Sequence, residues 1–127
     1  PEMQTDYNFV RDAYIKYWDG VEKSFSMPYY PNVTMGWDSS PRANQSDSYG
    51  NYGYPFMHTI TNNTPTRFKQ ALEMTKARLI ANPTGPRILN INCWNEWTEG
   101  SYLEPDTVNR YAYLAAVKAV FGASSGK

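Results

Sequence analysis

Two carboxylates, Glu96 and Glu99, stand three residues apart at the end of an apolar run, Ile88 to Trp94, in the stretch ILNINCWNEWTEGSYLEPD. Residues of this kind at this spacing can face one cavity. A carboxyl desolvated against Trp94 or Trp97 gains proton affinity, while a partner held ionised by polar contacts such as Asn95 acts as base or nucleophile. Glycosidic cleavage requires that division of labour. The plain reading is a surface loop with two ordinary acids. Placement directly after a strand, between two tryptophans and beside an asparagine, raises the chemical reading to equal weight.

Strand position matters because the apolar run reads as a strand from Arg87 to Trp94, led in by the Gly85-Pro86 turn. Gly100, just after the pair, lets the backbone turn sharply. A second short strand is expected over Val33–Trp37, followed by the loop signal Asp38-Ser39-Ser40-Pro41. Helical spacing of Val10, Tyr14, Trp18 and Val21 predicts a helix from about Thr5 to Val21. Thr64-Pro65 is a helix start, with Thr as cap and Pro in the first turn, and that helix ends near Asn82-Pro83. Asp106 or Thr107 is expected to cap a last helix running to about Phe121. From Arg42 to Asn63 nothing is periodic, and a loop of that length is functional or mobile.

Strands alternating with helices imply parallel β-α-β units, with right-handed crossovers bringing both strand ends to one edge. There the Trp37-Asp38 end and the Trp94–Glu99 segment become neighbours. Two parallel strands cannot bury both faces alone. The expected fold is therefore α/β, the closing portion of a (β/α)8 barrel with about two parallel strands and three helices. A missing N-terminal part or self-association would complete it. Residues 1–122 form that segment and 123–127 a disordered tail. The chain opens Pro1-Glu2-Met3 without an initiator Met or a recognisable signal peptide, which reads as processing or as a piece of something longer.

Composition narrows the partners. Twelve basic residues balance twelve acidic ones, leaving no electrostatic case for nucleic acid or anionic lipid. No apolar run approaches the roughly 20 residues of a membrane span. With one cysteine, Cys93, and one histidine, His58, no intramolecular disulfide forms and a Cys/His metal site is not expected. Cys93 lies inside the apolar run and reads as a buried, inert thiol. No cofactor is implied. The Asn-x-Ser/Thr patterns at Asn32, Asn44 and Asn62 carry little weight in an Asn-rich chain. Aromatics make up 16% of residues, including eleven Tyr and four Trp. Their flat faces with polar tips suit sugar rings, and equally protein interfaces.

The block WNEWTEGSYLEPD resembles the terminal-strand motif of the glycoside hydrolase family 99 clan and its WbsX-type relatives, which show Asn-Glu-Trp-x-Glu-Gly followed by Glu-Pro. Gly36 to Arg42, GWDSSPR, resembles a second WbsX-type block, and the two occur in the same order, separated by one helix. The resemblance spans nearly all of this chain and about the last third of a family-length catalytic domain. It implies a (β/α)8 barrel acting on an oligo- or polysaccharide, with these strands as the seventh and eighth. It also implies retaining cleavage in which Glu96 assists attack by the sugar 2-hydroxyl and Glu99 is the general acid/base, supported by Asn95 and Trp97. Thr98 stands where family 99 enzymes usually have His, and SYLEPD is closer to the WbsX-type version, which unsettles a mannan substrate more than the barrel. WbsX-type relatives are often described as glycosyltransferases of polysaccharide biosynthesis.

Further candidates for substrate contact are Trp37 and Asp38 at the first strand end, and Tyr54 and His58 in the long loop. Their ordinary readings are a core indole, a turn-capping carboxylate, a partner-contacting phenol and a backbone-bonded imidazole. Arg42 is expected to pair with a loop carboxylate. Glu104 is read as meeting the positive end of the last helix. A second class of function is an inactive barrel fragment, or a glycan-binding or assembly module that covers its strands with a copy of itself. No targeting residue fixes the compartment; a periplasmic or extracellular setting is slightly favoured.

Overall fold

A computed structural model describes residues 3–50 and 52–122. The expected disordered tail, 123–127, lies outside the described residues. The elements run β1 (Gln4–Asp6), α1 (Tyr7–Ser24), β2 (Asn32–Thr34), β3 (Thr59–Thr61), α2 (Pro65–Ala81), β4 (Asn90–Asn92), β5 (Asn95–Glu96), β6 (Ser101–Tyr102) and α3 (Ala112–Phe121). Short 3-10 turns occupy Ser40–Arg42 and Trp97–Glu99. The chain is thus a mixed α/β structure with three helices and small parallel sheets among the described residues.

The two strands anticipated from sequence are parallel neighbours: β2 pairs with β4 in the register Asn32↔Asn90, Val33↔Ile91, Thr34↔Asn92. Both are shorter than their apolar runs, because ladder bonds stop where the chains diverge toward the loops. Four strands, β1, β3, β5 and β6, escaped the sequence reading. β1 pairs in parallel with β3, Gln4↔Thr59 to Asp6↔Thr61, and β3 sits inside the stretch expected to be loop. The other edge of β3 meets the end of the β2 segment, where the Ile60 amide donates to the Trp37 carbonyl at 2.8 Å. β5 and β6 form a two-residue antiparallel pair.

Each helix starts for a nameable reason. Asp6, in extended conformation, accepts from the Asn8 amide at 2.9 Å and so caps α1. Asp6 and its neighbours extend along β1 first, so the helix begins at Tyr7, later than the periodicity predicts. Thr64 caps α2 through the Arg67 amide, with Pro65 in the first turn as expected. The last helix differs more. Asp106 Oδ1 accepts from the amides of Val108, Asn109 and Arg110, closing a turn, and α3 begins only at Ala112. An Asp can satisfy the open amides of a turn as readily as those of a helix, which is why the sequence places the start too early.

The core lies between β2 and the helices. Val33 and Met35 of the β2 segment pack with Phe68, Ala71 and Leu72 of α2 and Tyr113, Ala116 and Val120 of α3. The helical spacings of these residues present one apolar face each. Phe68 and Tyr113 meet edge to face at 5.6 Å, and the Tyr113 hydroxyl donates to the Asn63 carbonyl. Burial raises that phenol to about 12. Tyr7 joins α1 to the sheet by donating to the Thr34 carbonyl at 2.7 Å. Arg78 of α2 reaches Asp19 and Glu22 of α1 at 2.6 and 2.7 Å. Strand residues alternate faces: Val33 is fully buried, whereas Asn32 and Asn90 beside it are exposed.

Candidate active site

The site forms where β2 and β4 run out. Beyond β2 the Asp38 amide donates to the Glu99 carbonyl at 2.7 Å, stitching the loop after one strand to the turn after the other. The turn carrying Glu99 closes on Gly100, which has φ +58 and caps the 3-10 turn by donating to the Trp97 carbonyl. A Cβ at Gly100 would stand 2.9 Å from the Asp38 Cβ and 3.0 Å from its amide nitrogen. Left-handed conformation and close backbone approach both call for glycine here.

This seam brings three side chains together. Arg42, in the turn after Asp38, places its guanidinium 2.7 Å from Glu96 Oε1 and its Nε 3.4 Å from Glu99 Oε1. Glu96 also accepts from the Thr98 hydroxyl at 3.3 Å. The Glu99 side chain is the more enclosed of the pair, 18% exposed against 42% for Glu96. The hydrogen bond that Arg42 donates to Glu96 holds its guanidinium above its ordinary value.

Tyr54 closes one side. Its ring lies 6.0 Å beneath the Arg42 guanidinium and 6.4 Å from Trp37, and its hydroxyl faces Glu99. Burial, followed by that carboxylate, raises the phenol above its usual range. The same loop is anchored beneath by the Ser39 hydroxyl, which donates to the Pro55 carbonyl. The long loop therefore folds back so that Arg42 and Tyr54 serve one place.

The remaining candidates are distributed around this centre. Asp38 accepts from the Ser40 amide at 2.9 Å, and with Trp37, Asn63, Gly100 and Tyr102 it lines a cavity of about 270 Å³. The Trp37 indole nitrogen is buried without a hydrogen-bond partner among the described residues. Trp97 stacks on Tyr102 at 3.8 Å and donates from its indole to Glu104 at 2.6 Å. Asn95 is exposed in β5, opposite Tyr102. His58 is held at β1, its Nδ1 2.9 Å from the Thr5 hydroxyl.

Two expectations change. Glu104 holds the Trp97 indole; with α3 starting at Ala112, it does not sit at that helix's first turn. Cys93 is half-buried, and its thiol donates to the Ser101 carbonyl at 3.0 Å. Arg42 pairs with loop carboxylates as expected, and those carboxylates are the candidate pair themselves. The signal in the sequence was the Pro-Arg that closes GWDSSPR. Among the described residues no group of three or more His, Cys, Asp or Glu is placed to hold a metal ion, and no helix is long and apolar enough to cross a membrane.

Comparison with known proteins decides the kinship. Residues 2–117 match the family described as Glycosyltransferase WbsX. The chain belongs to the WbsX family. It is 38% identical over 90 residues to the uncharacterized protein WxcX of Xanthomonas campestris pv. campestris strain B100, and equally to that of strain ATCC 33913. The alignment covers 70% of this chain and 12% of each relative, so this WbsX-family segment spans about an eighth of their length. No solved structure matches it.

Proposed function

We propose that this WbsX-family segment is the closing portion of a (β/α)8 barrel that cleaves a glycosidic bond with retention. The observation that carries the reading is the convergence of Glu96 and Glu99 on one guanidinium at the shared end of parallel strands. In barrels of this kind catalytic groups stand on the loops after the strands. The exposed polar sheet face bearing Asn32 and Asn90 fits a side turned toward further strands and a glycan-filled interior.

In this reading Glu96 removes the proton from the sugar 2-hydroxyl. That oxygen attacks the anomeric carbon, and the departing glycosidic oxygen takes a proton from Glu99. Glu99 then deprotonates a water, which reopens the strained ring at the anomeric carbon while Glu96 returns its proton to the 2-oxygen. Two displacements at one carbon give net retention. Asn95, Trp97, Trp37, Asp38, Tyr54 and His58 are the proposed substrate contacts, aromatic faces for sugar rings and polar tips for hydroxyls. Proton NMR of the first-formed product of the intact protein tests this: the anomer should match the substrate, and an inverted anomer excludes the route.

A second reading follows from the description of the family itself, that of a glycosyltransferase. It uses the same pair on a sugar donor, with an acceptor hydroxyl in place of water. Sugar transfer to an added acceptor at the expense of hydrolysis would favour it.

A further inference from the structure

We propose that Arg42 is a positioning residue that sets the mutual placement of Glu96 and Glu99, with Tyr54 from the same loop bracing it. The inference deepens the glycosidase reading and rests on it. Two carboxylates on a short turn have independent rotamers, and both are accessible to water. A planar guanidinium with donors in a fixed fork restricts two acceptors in direction, which the freely rotating ammonium of a lysine does not. Arg42 contacts Glu96 Oε1 at 2.7 Å and Glu99 Oε1 at 3.4 Å, through different nitrogens. Its plane is limited in turn by the Tyr54 ring at 6.0 Å.

The loop is built to deliver these two residues and is itself fastened to the strand ends. The Asp38 amide binds the Glu99 carbonyl, Asp38 caps the Ser40 amide, and Ser39 holds the Pro55 carbonyl. Arg42 follows the first two anchors by a few residues, and Tyr54 immediately precedes the third. The frame that sets the glutamate turn therefore also sets the group that aligns the two carboxylates. Exposure of the ion pairs makes them weak contributors to folding, so alignment rather than stability is what they supply.

The test needs no substrate at first. In the intact protein, carbodiimide with glycine ethyl ester labels accessible carboxylates, read peptide by peptide by mass spectrometry, with exposed Glu73 as internal control. Arg42→Ala should raise labelling of Glu96 and Glu99 several-fold and leave Glu73 unchanged. Arg42→Lys should restore protection at one glutamate only. Unchanged labelling of both glutamates in Arg42→Ala overturns the inference. On the 4-methylumbelliferyl glycoside the intact protein hydrolyses fastest, Arg42→Ala should lower kcat at least tenfold with KM nearly unchanged, and guanidinium ion should restore part of it. Full kcat in Arg42→Ala beside inactive Glu96→Gln and Glu99→Gln variants overturns the inference and spares the glycosidase reading. Full turnover in all three overturns both.

Discussion

The Asp38 amide and the Glu99 carbonyl, 2.7 Å apart, join the ends of two β-α units that are distant in sequence. Through that bond the loop bearing Arg42 and the turn bearing both glutamates become one structural unit. The site's chemistry therefore depends on backbone geometry as well as on its side chains.

Gly100 is where that dependence is sharpest. At φ +58 an alanine is strained, and its Cβ would press on Asp38 at 2.9 Å. Gly100→Ala should cost about 1–3 kcal/mol in chemical denaturation. It should also part the Asp38–Glu99 seam, seen as accelerated amide exchange at Asp38. A neutral substitution would remove the geometric basis of the site.

Asp6 predicts how acid acts on the fold. Asn62, Arg67 and the Asn8 amide bond its carboxylate and lower it from 3.8 to about 2. A carboxyl depressed in the folded state contributes stability that is complete above about pH 4 and disappears as pH falls toward 2. Asp6→Asn, which keeps a capping side chain, should trail the unchanged chain in denaturation midpoint at pH 6. The two midpoints should draw together across that acid window. A gap independent of pH would contradict the assignment.

Phe68 tests the core that holds the strands against the helices. It is fully buried and meets Tyr113 edge to face. Phe68→Ala should destabilise by about 3–5 kcal/mol. Phe68→Leu, which keeps most of the volume, should lose much less. Equal losses would mean that packing volume is not what this position supplies.

What the sequence disclosed follows the range of the forces involved. α2 was legible at both ends because Thr64, Pro65 and Pro83 act within a turn of themselves. The neighbourhood of the Trp37 and Glu99 segments was legible because crossover handedness fixes which strand ends share an edge. β3 was not, since three residues in an aperiodic loop become a strand only by meeting β1. The start of α3 was misplaced because Asp106 serves a turn with the same side-chain oxygens it would offer a helix. Arg42 was visible as an ion-pairing residue, but its partners depend on a fold-back that no local pattern encodes.

The central claim is that Glu96 and Glu99 act as the catalytic pair. Hydrolysis by the intact protein carrying Glu96→Gln, and separately Glu99→Gln, measures it most directly, with circular dichroism confirming the fold. Each amide keeps the side chain's size and removes its proton chemistry. Turnover should drop on the order of 10²–10⁴-fold in each variant with the fold unchanged. Undiminished turnover in both folded variants would contradict the account.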